Sequence, residues 1–111
     1  MNEKKIGKIK KVSFGLGGYQ DAQIGVSFSL GSDKESWGVC DFWGQWATEC
    51  TDSCKWTEAD RETELGKTCM EILKLLNQAK VYDLQQLQGV PVEVEFEGMM
   101  LKSWRILEEV I

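Results

Sequence analysis

Apolar and polar residues alternate through the first part of the chain. Val12, Phe14 and Leu16 take every second position, and after a glycine-rich break Ala22, Ile24, Val26, Phe28 and Leu30 do so again. A period of two is that of a strand with one buried face, so strands are expected over 12–16 and 22–30. Gly15-Leu16-Gly17-Gly18-Tyr19-Gln20-Asp21 then reads as their connection, because glycine supplies the positive φ of a tight turn. A second turn at Gly31-Ser32-Asp33-Lys34-Glu35 leads into a third strand over 36–43.

The period changes at Thr57. Thr57-Glu58-Ala59-Asp60 has the hydroxyl and acid spacing of a capping box, which marks a helix start. Leu65, Cys69, Ile72, Leu73, Leu76 and Ala79 follow at intervals of three and four. This predicts an amphipathic helix to about residue 80 with Cys69 on its buried stripe and Glu64, Lys67, Glu71 and Lys74 toward water. Asp83 can cap a short turn carrying Leu84 and Leu87, which Gly89 ends. Val90, Val92, Val94 and Phe96 then alternate with Glu93, Glu95 and Glu97, and Pro91, which lacks an amide donor, belongs at the start of that strand or on an edge. Gly98 marks a turn before a last strand over 101–110, with Trp104 and Ile106 on one face. The expected fold is α+β, an antiparallel sheet in β-β-β-α-β-β order with one long helix packed on it.

At 111 residues the chain suits a single domain, 1–111, around one hydrophobic core. No apolar run approaches the roughly 20 residues of a membrane span, and Met1-Asn2-Glu3-Lys4-Lys5 leads into no export-type apolar segment. A cytoplasmic protein is therefore expected, with Cys40, Cys50, Cys54 and Cys69 as reduced thiols. The net charge of −5 disfavours general nucleic-acid binding, which needs a basic face. Lys4, Lys5, Lys8, Lys10 and Lys11 nevertheless crowd the first eleven residues. They read either as the lysines that protect a solvated edge strand from pairing or as a short basic ridge for an anionic ligand.

The chain has no histidine. That removes Ser-His-Asp and Cys-His catalysis, the histidine metal sites, and the side chain best suited to proton transfer near neutral pH. No enzyme motif replaces them, and no catalytic residue or cofactor is expected. A zinc site built from Cys50 and Cys54 with Cys40 and Cys69 would lack the usual two-residue knuckles, so no metal is expected either. Gly15-Leu16-Gly17-Gly18 lacks the Gly-Lys-Ser/Thr ending of a phosphate-binding loop.

What stands out is the aromatic stretch from Trp37 to Trp56, with Trp37, Phe42, Trp43, Trp46 and Trp56 among Gly38, Asp41, Gly44, Gln45 and Glu49. These rings form either a satellite core under a long loop or a stacking surface, completed by Trp104 with Lys102 or Arg105. The candidate binding residues are Tyr19, Gln20 and Asp21 at the first turn, Trp37, Asp41, Trp43 and Trp46 in the aromatic stretch, and Lys102, Trp104 and Arg105 on the last strand.

Gly17-Gly18-Tyr19-Gln20-Asp21-Ala22, Trp37-Gly38-Val39-Cys40-Asp41, Lys55-Trp56-Thr57-Glu58-Ala59-Asp60-Arg61 and Leu101-Lys102-Ser103-Trp104-Arg105 resemble small proteins encoded by bacteriophages and prophages, across nearly the whole chain. The resemblance implies a host bacterial cytoplasm and, by analogy, action on host machinery or defence by binding. Two modes follow. One sequesters a nucleotide-like anionic small molecule at the aromatic surface, with a homo-oligomer completing the pocket. The other is an acidic inhibitor or accessory factor that blocks a host protein, in place of a nucleic acid.

Overall fold

The lysine-rich start of the chain belongs to the longest strand. In a computed structural model that describes residues 2–111, without the side chain of Tyr19, β1 runs over Asn2–Gly17. Residues 2–8 pair antiparallel with β4 (Pro91–Glu97) and residues 8–17 with β2 (Gln23–Gly31). β3 (Gly38–Ala47) and β5 (Met100–Ile106) add at either side, giving one antiparallel sheet in the order β3-β2-β1-β4-β5. β1 is thus the middle strand of the order, yet among the described strands residues 2–7 pair only with β4 and residues 9–17 only with β2. The lysine segment therefore lies on a central strand that keeps an edge without a strand partner on either side of Lys8, and the edge-strand expectation holds only in that part. Part of the segment's charge is compensated by facing acids: Lys4 stands opposite Glu95, while Lys8 and Lys10 both pair with Asp33 of the β2–β3 turn.

The fold is α+β as expected, but a tight turn at Tyr19–Asp21 and one-turn 3₁₀ helices at Leu84–Leu87 and Glu108–Val110 interrupt the expected order of strands and helix. The last of them takes up chain that the sequence assigned to the final strand. β3 also extends to Ala47, four residues beyond the expected Trp43. Pro91 begins β4, where the lack of an N–H costs least.

The inward side chains of four strands meet in one cluster. Ile9 and Val12 of β1, Val26, Phe28 and Leu30 of β2, Val92 and Val94 of β4 and Ile106 of β5 are buried together. A bulge between Ile9 and Lys11 keeps both Ile9 and Val12 on the inside, because it inserts an extra residue where strict alternation would turn one of them out.

The helix α1 spans Glu58–Ala79. Thr57 Oγ1 accepts from the Asp60 N–H at 3.2 Å and Asp60 Oδ2 accepts from the Thr57 N–H at 2.8 Å, so the capping box is closed. Lys80, in the left-handed region at φ 59°, ends it. Leu75 and Ala79 are buried in the same cluster as the strand residues, with Ile72 and Leu76 half-buried against it. Cys69 and Leu73 are exposed and Thr68 is buried instead, which corrects the expected stripe. The reason lies on β3: Gly44, at φ +69°, comes so close that a Cβ there would sit 2.5 Å from Thr68 Oγ1. That approach needs a short side chain on both partners and turns the residue-68 face of the helix inward.

Candidate functional site

β3 and β5 end opposite sides of the sheet, yet their tryptophans touch. The Trp43 and Trp104 rings are stacked, with centroids 5.7 Å apart and planes 19° from parallel. Both lean on Phe28 of β2, at 4.6 and 5.2 Å. The sheet is therefore curled, and large flat rings bridge the gap between its edges.

Asp41 fixes the pair. Its Oδ2 accepts from Trp43 Nε1 at 2.9 Å and from Trp104 Nε1 at 2.7 Å, and its Oδ1 accepts from the Phe42 N–H at 3.0 Å. One half-buried carboxylate thus satisfies both indole donors, which buried indoles require. On β3, Asp41 stands opposite Phe28 and Trp43 opposite Val26, so alternation delivers both side chains to the same inner face.

Beside these rings a cleft of about 220 Å³ opens between β5 and α1, lined by Trp43, Trp104, Arg105 and the helix residues Glu71, Lys74, Leu75 and Gln78. Arg105 is heavily engaged: Nε donates to Glu93 at 3.2 Å, and Nη1 and Nη2 to the two oxygens of Glu109 at 3.0 and 3.2 Å. Glu109 and then Glu93 raise the guanidinium's pKa still further, and Arg105 in turn holds Glu109 below the usual carboxylate range. Lys74 has only an exposed partner, Glu71, at 3.3 Å. Such a pair is worth little and opens at little cost.

The other candidate residues lie elsewhere. Gln20 and Asp21 are exposed in the turn after β1, both with left-handed φ of 57° and 53°, and the Tyr19 side chain falls outside the described part. Trp46 meets Trp56 edge to ring at 5.3 Å, and the Arg61 guanidinium stands 5.5 Å from the Trp56 ring. Arg61 also ties this corner to β3, donating to the Ala47 and Thr48 carbonyls at 3.2 and 2.7 Å. Trp37 meets Phe96 edge to ring at 5.7 Å and lies against Gly7, where a Cβ would come within 2.7 Å of its ring. Its Nε1 is buried without a hydrogen-bond partner among the described residues. Lys102 pairs with Glu95 at 3.5 Å, and Asn2 first, then Lys102, hold that carboxyl below its usual range.

The aromatic stretch therefore divides into separate groups, and of the candidate residues Asp41, Trp43, Trp104 and Arg105 come together. Sequence reasoning missed Glu71, Lys74 and Gln78. Their spacing of three and four on one helical row was a usable signal, but only the curl of the sheet brings that row beside Trp104. Among the described residues, no group of three or more His, Cys, Asp or Glu side chains could hold a metal ion, and no helix is long and apolar enough to cross a membrane. No family model, no curated protein and no solved structure matches the chain.

Proposed function

We propose that this chain is a non-enzymatic binding protein that takes the flat, ring-containing part of a small anionic, nucleotide-like molecule into the cleft beside Trp104. The observation that carries this reading is the convergence of Trp43 and Trp104, from opposite edges of the sheet, on a cleft that also holds Lys74. The indoles offer ring edges and faces, Gln78 offers amide hydrogen bonds, and Lys74 exchanges Glu71 for the ligand's anionic group. At about 220 Å³ the cleft is smaller than the roughly 300–1,000 Å³ of common ligand pockets. It suits one ring system, with the remainder of a larger ligand outside or against a second copy of the chain.

The architecture supports binding over catalysis. We take α1 as the cover of the concave face and the whole as a small, partly open five-stranded barrel. A long β1 shared by β2 and β4, with the helix between β3 and β4, is the plan of oligonucleotide- and oligosaccharide-binding barrels, which serve recognition. That parallel is one of fold and leaves the ligand to the site. The net charge of −5 argues for a small ligand in preference to a polyanion. In this reading the protein is phage- or prophage-encoded and acts in the host bacterial cytoplasm. Calorimetry against mononucleotides and cyclic dinucleotides tests it: saturable heat supports the reading, and no heat with any member of the panel ends it.

A second reading, an acidic inhibitor of a host protein, is favoured by the exposed Met70 and Leu73 on α1, 57% and 46% accessible, on either side in sequence of the exposed Glu71. An affinity-purified complex that is lost on Met70→Glu would support it, and a complex indifferent to that change would count against it.

A further inference from the structure

The loop between β3 and α1 brings two thiols together. Cys54 N–H donates to the Thr51 carbonyl at 3.0 Å, closing a turn over residues 51–54. That turn folds Cys54 Sγ back onto the Thr51 N–H at 3.1 Å, immediately beside Cys50. Because the Thr51 N–H directly follows Cys50, this contact sets the two thiols side by side, close enough that each alters the other's ionisation. Cys50 Sγ in turn donates to the Trp56 carbonyl at 3.3 Å. Cys40 and Cys69, by contrast, are exposed, on β3 and α1.

We propose that Cys50 and Cys54 form a thiol–disulfide exchange site that reacts with small-molecule disulfides of the glutathione type and closes into a reversible Cys50–Cys54 disulfide. The two sulfurs have different environments, as attack and resolution require. The Thr51 backbone N–H, then the Thr51 hydroxyl, stabilise negative charge on Cys54 and lower its pKa, whereas burial, then the neighbouring Cys54, push the Cys50 thiol up. Cys54 is therefore the attacking thiolate. It displaces one thiolate from the small disulfide and is left as a mixed disulfide. Cys50 then attacks the Cys54 sulfur, its proton passing to the departing thiolate. In sum, two protein thiols and one small disulfide give one internal disulfide and two small thiols.

Closure removes the hydrogen that Cys50 gives to the Trp56 carbonyl, so the reaction is coupled to the corner where Trp56 meets Trp46 and Arg61. A reducing cytoplasm keeps the site open, and an oxidative burst would close it.

The test is to expose the full chain to oxidised glutathione at pH 7, block remaining thiols with iodoacetamide and cleave after glutamate. Cleavage after Glu49 and Glu58 releases residues 50–58, which hold Cys50 and Cys54 and no other cysteine. The expected product is this peptide two hydrogens lighter and unalkylated, with both thiols recovered by reduction. In Cys50→Ser, Cys54 should stop at a stable glutathione adduct, formed on the order of tenfold faster than those at Cys40 and Cys69. The proposal is overturned if both thiols of the wild-type peptide stay alkylatable, if each carries its own glutathione, or if Cys54 of the variant reacts no faster than Cys40.

Discussion

Asp41 of β3 accepts a hydrogen bond from the Trp104 indole of β5 at 2.7 Å across 63 positions of sequence, and so joins two strands that share no backbone pairing. The same oxygen holds Trp43. A charged acceptor serving two half-buried donors contributes more than an ordinary hydrogen bond, about 1.5–3 kcal/mol.

Asp41→Ala is therefore expected to lower the free energy of unfolding by about 2–3 kcal/mol, measured by urea denaturation. Asp41→Asn should cost less, since its amide oxygen still accepts from an indole. Trp104→Phe combined with Asp41→Ala should be less costly than the sum of the two, because the shared bond is lost once. Simple additivity would show that Asp41 does not tie the edges of the sheet together.

Gly44 is expected to tolerate no side chain. Its φ of +69° already disfavours a Cβ, and that Cβ would stand 2.5 Å from Thr68 Oγ1 and 3.1 Å from Thr68 Cβ and Cγ2. Gly44→Ala should destabilise by about 2–4 kcal/mol, combining backbone strain with overpacking. Thr68→Ala, which removes Oγ1 and Cγ2, should recover part of that loss in the double variant. A neutral Gly44→Ala would place α1 farther from β3 than described.

Asp33 links acid stability to the start of β1. Hydrogen bonds from Lys10 and then Lys8 lower its pKa from 3.8 to about 2. A depressed carboxylate adds stability that is present above its unfolded value and lost as pH falls through the folded one. The contribution should thus fade between about pH 4 and pH 2. Asp33→Asn is expected to flatten that part of the stability profile and leave the shape above pH 5 unchanged. The group is exposed, so added salt should shrink the effect.

The sequence made the local features legible. Thr57 and Asp60 lie three residues apart, and their reciprocal capping bonds depend only on that spacing; the same holds for Asp83 and Gln86 at the following 3₁₀ turn. Val26, Phe28 and Leu30 alternate cleanly and are buried as alternation requires. What depends on distant partners was not legible. Residues 4–11 of β1 carry five lysines in a strand that is central in the sheet order. It is Glu95 opposite Lys4 and Asp33 against Lys8 and Lys10, with one-sided pairing of residues 2–7, that make the arrangement intelligible. Thr68 replaces Cys69 inside because a glycine on another strand admits it. Trp43, Asp41 and Trp104 were identifiable as candidates from their residue types, but their meeting follows from the curl of the sheet, which no local period encodes.

Lys74 separates the ligand-binding account from a purely structural role for the tryptophans, because it lines the cleft yet is exposed and outside the core. The decisive measurement is a calorimetric titration of wild type and Lys74→Ala with the tightest-binding nucleotide. The account expects saturable one-site binding that Lys74→Ala weakens about tenfold, roughly 1.4 kcal/mol, with unfolding midpoints unchanged. Wild-type binding that Lys74→Ala leaves untouched, or no binding by either protein, would contradict it.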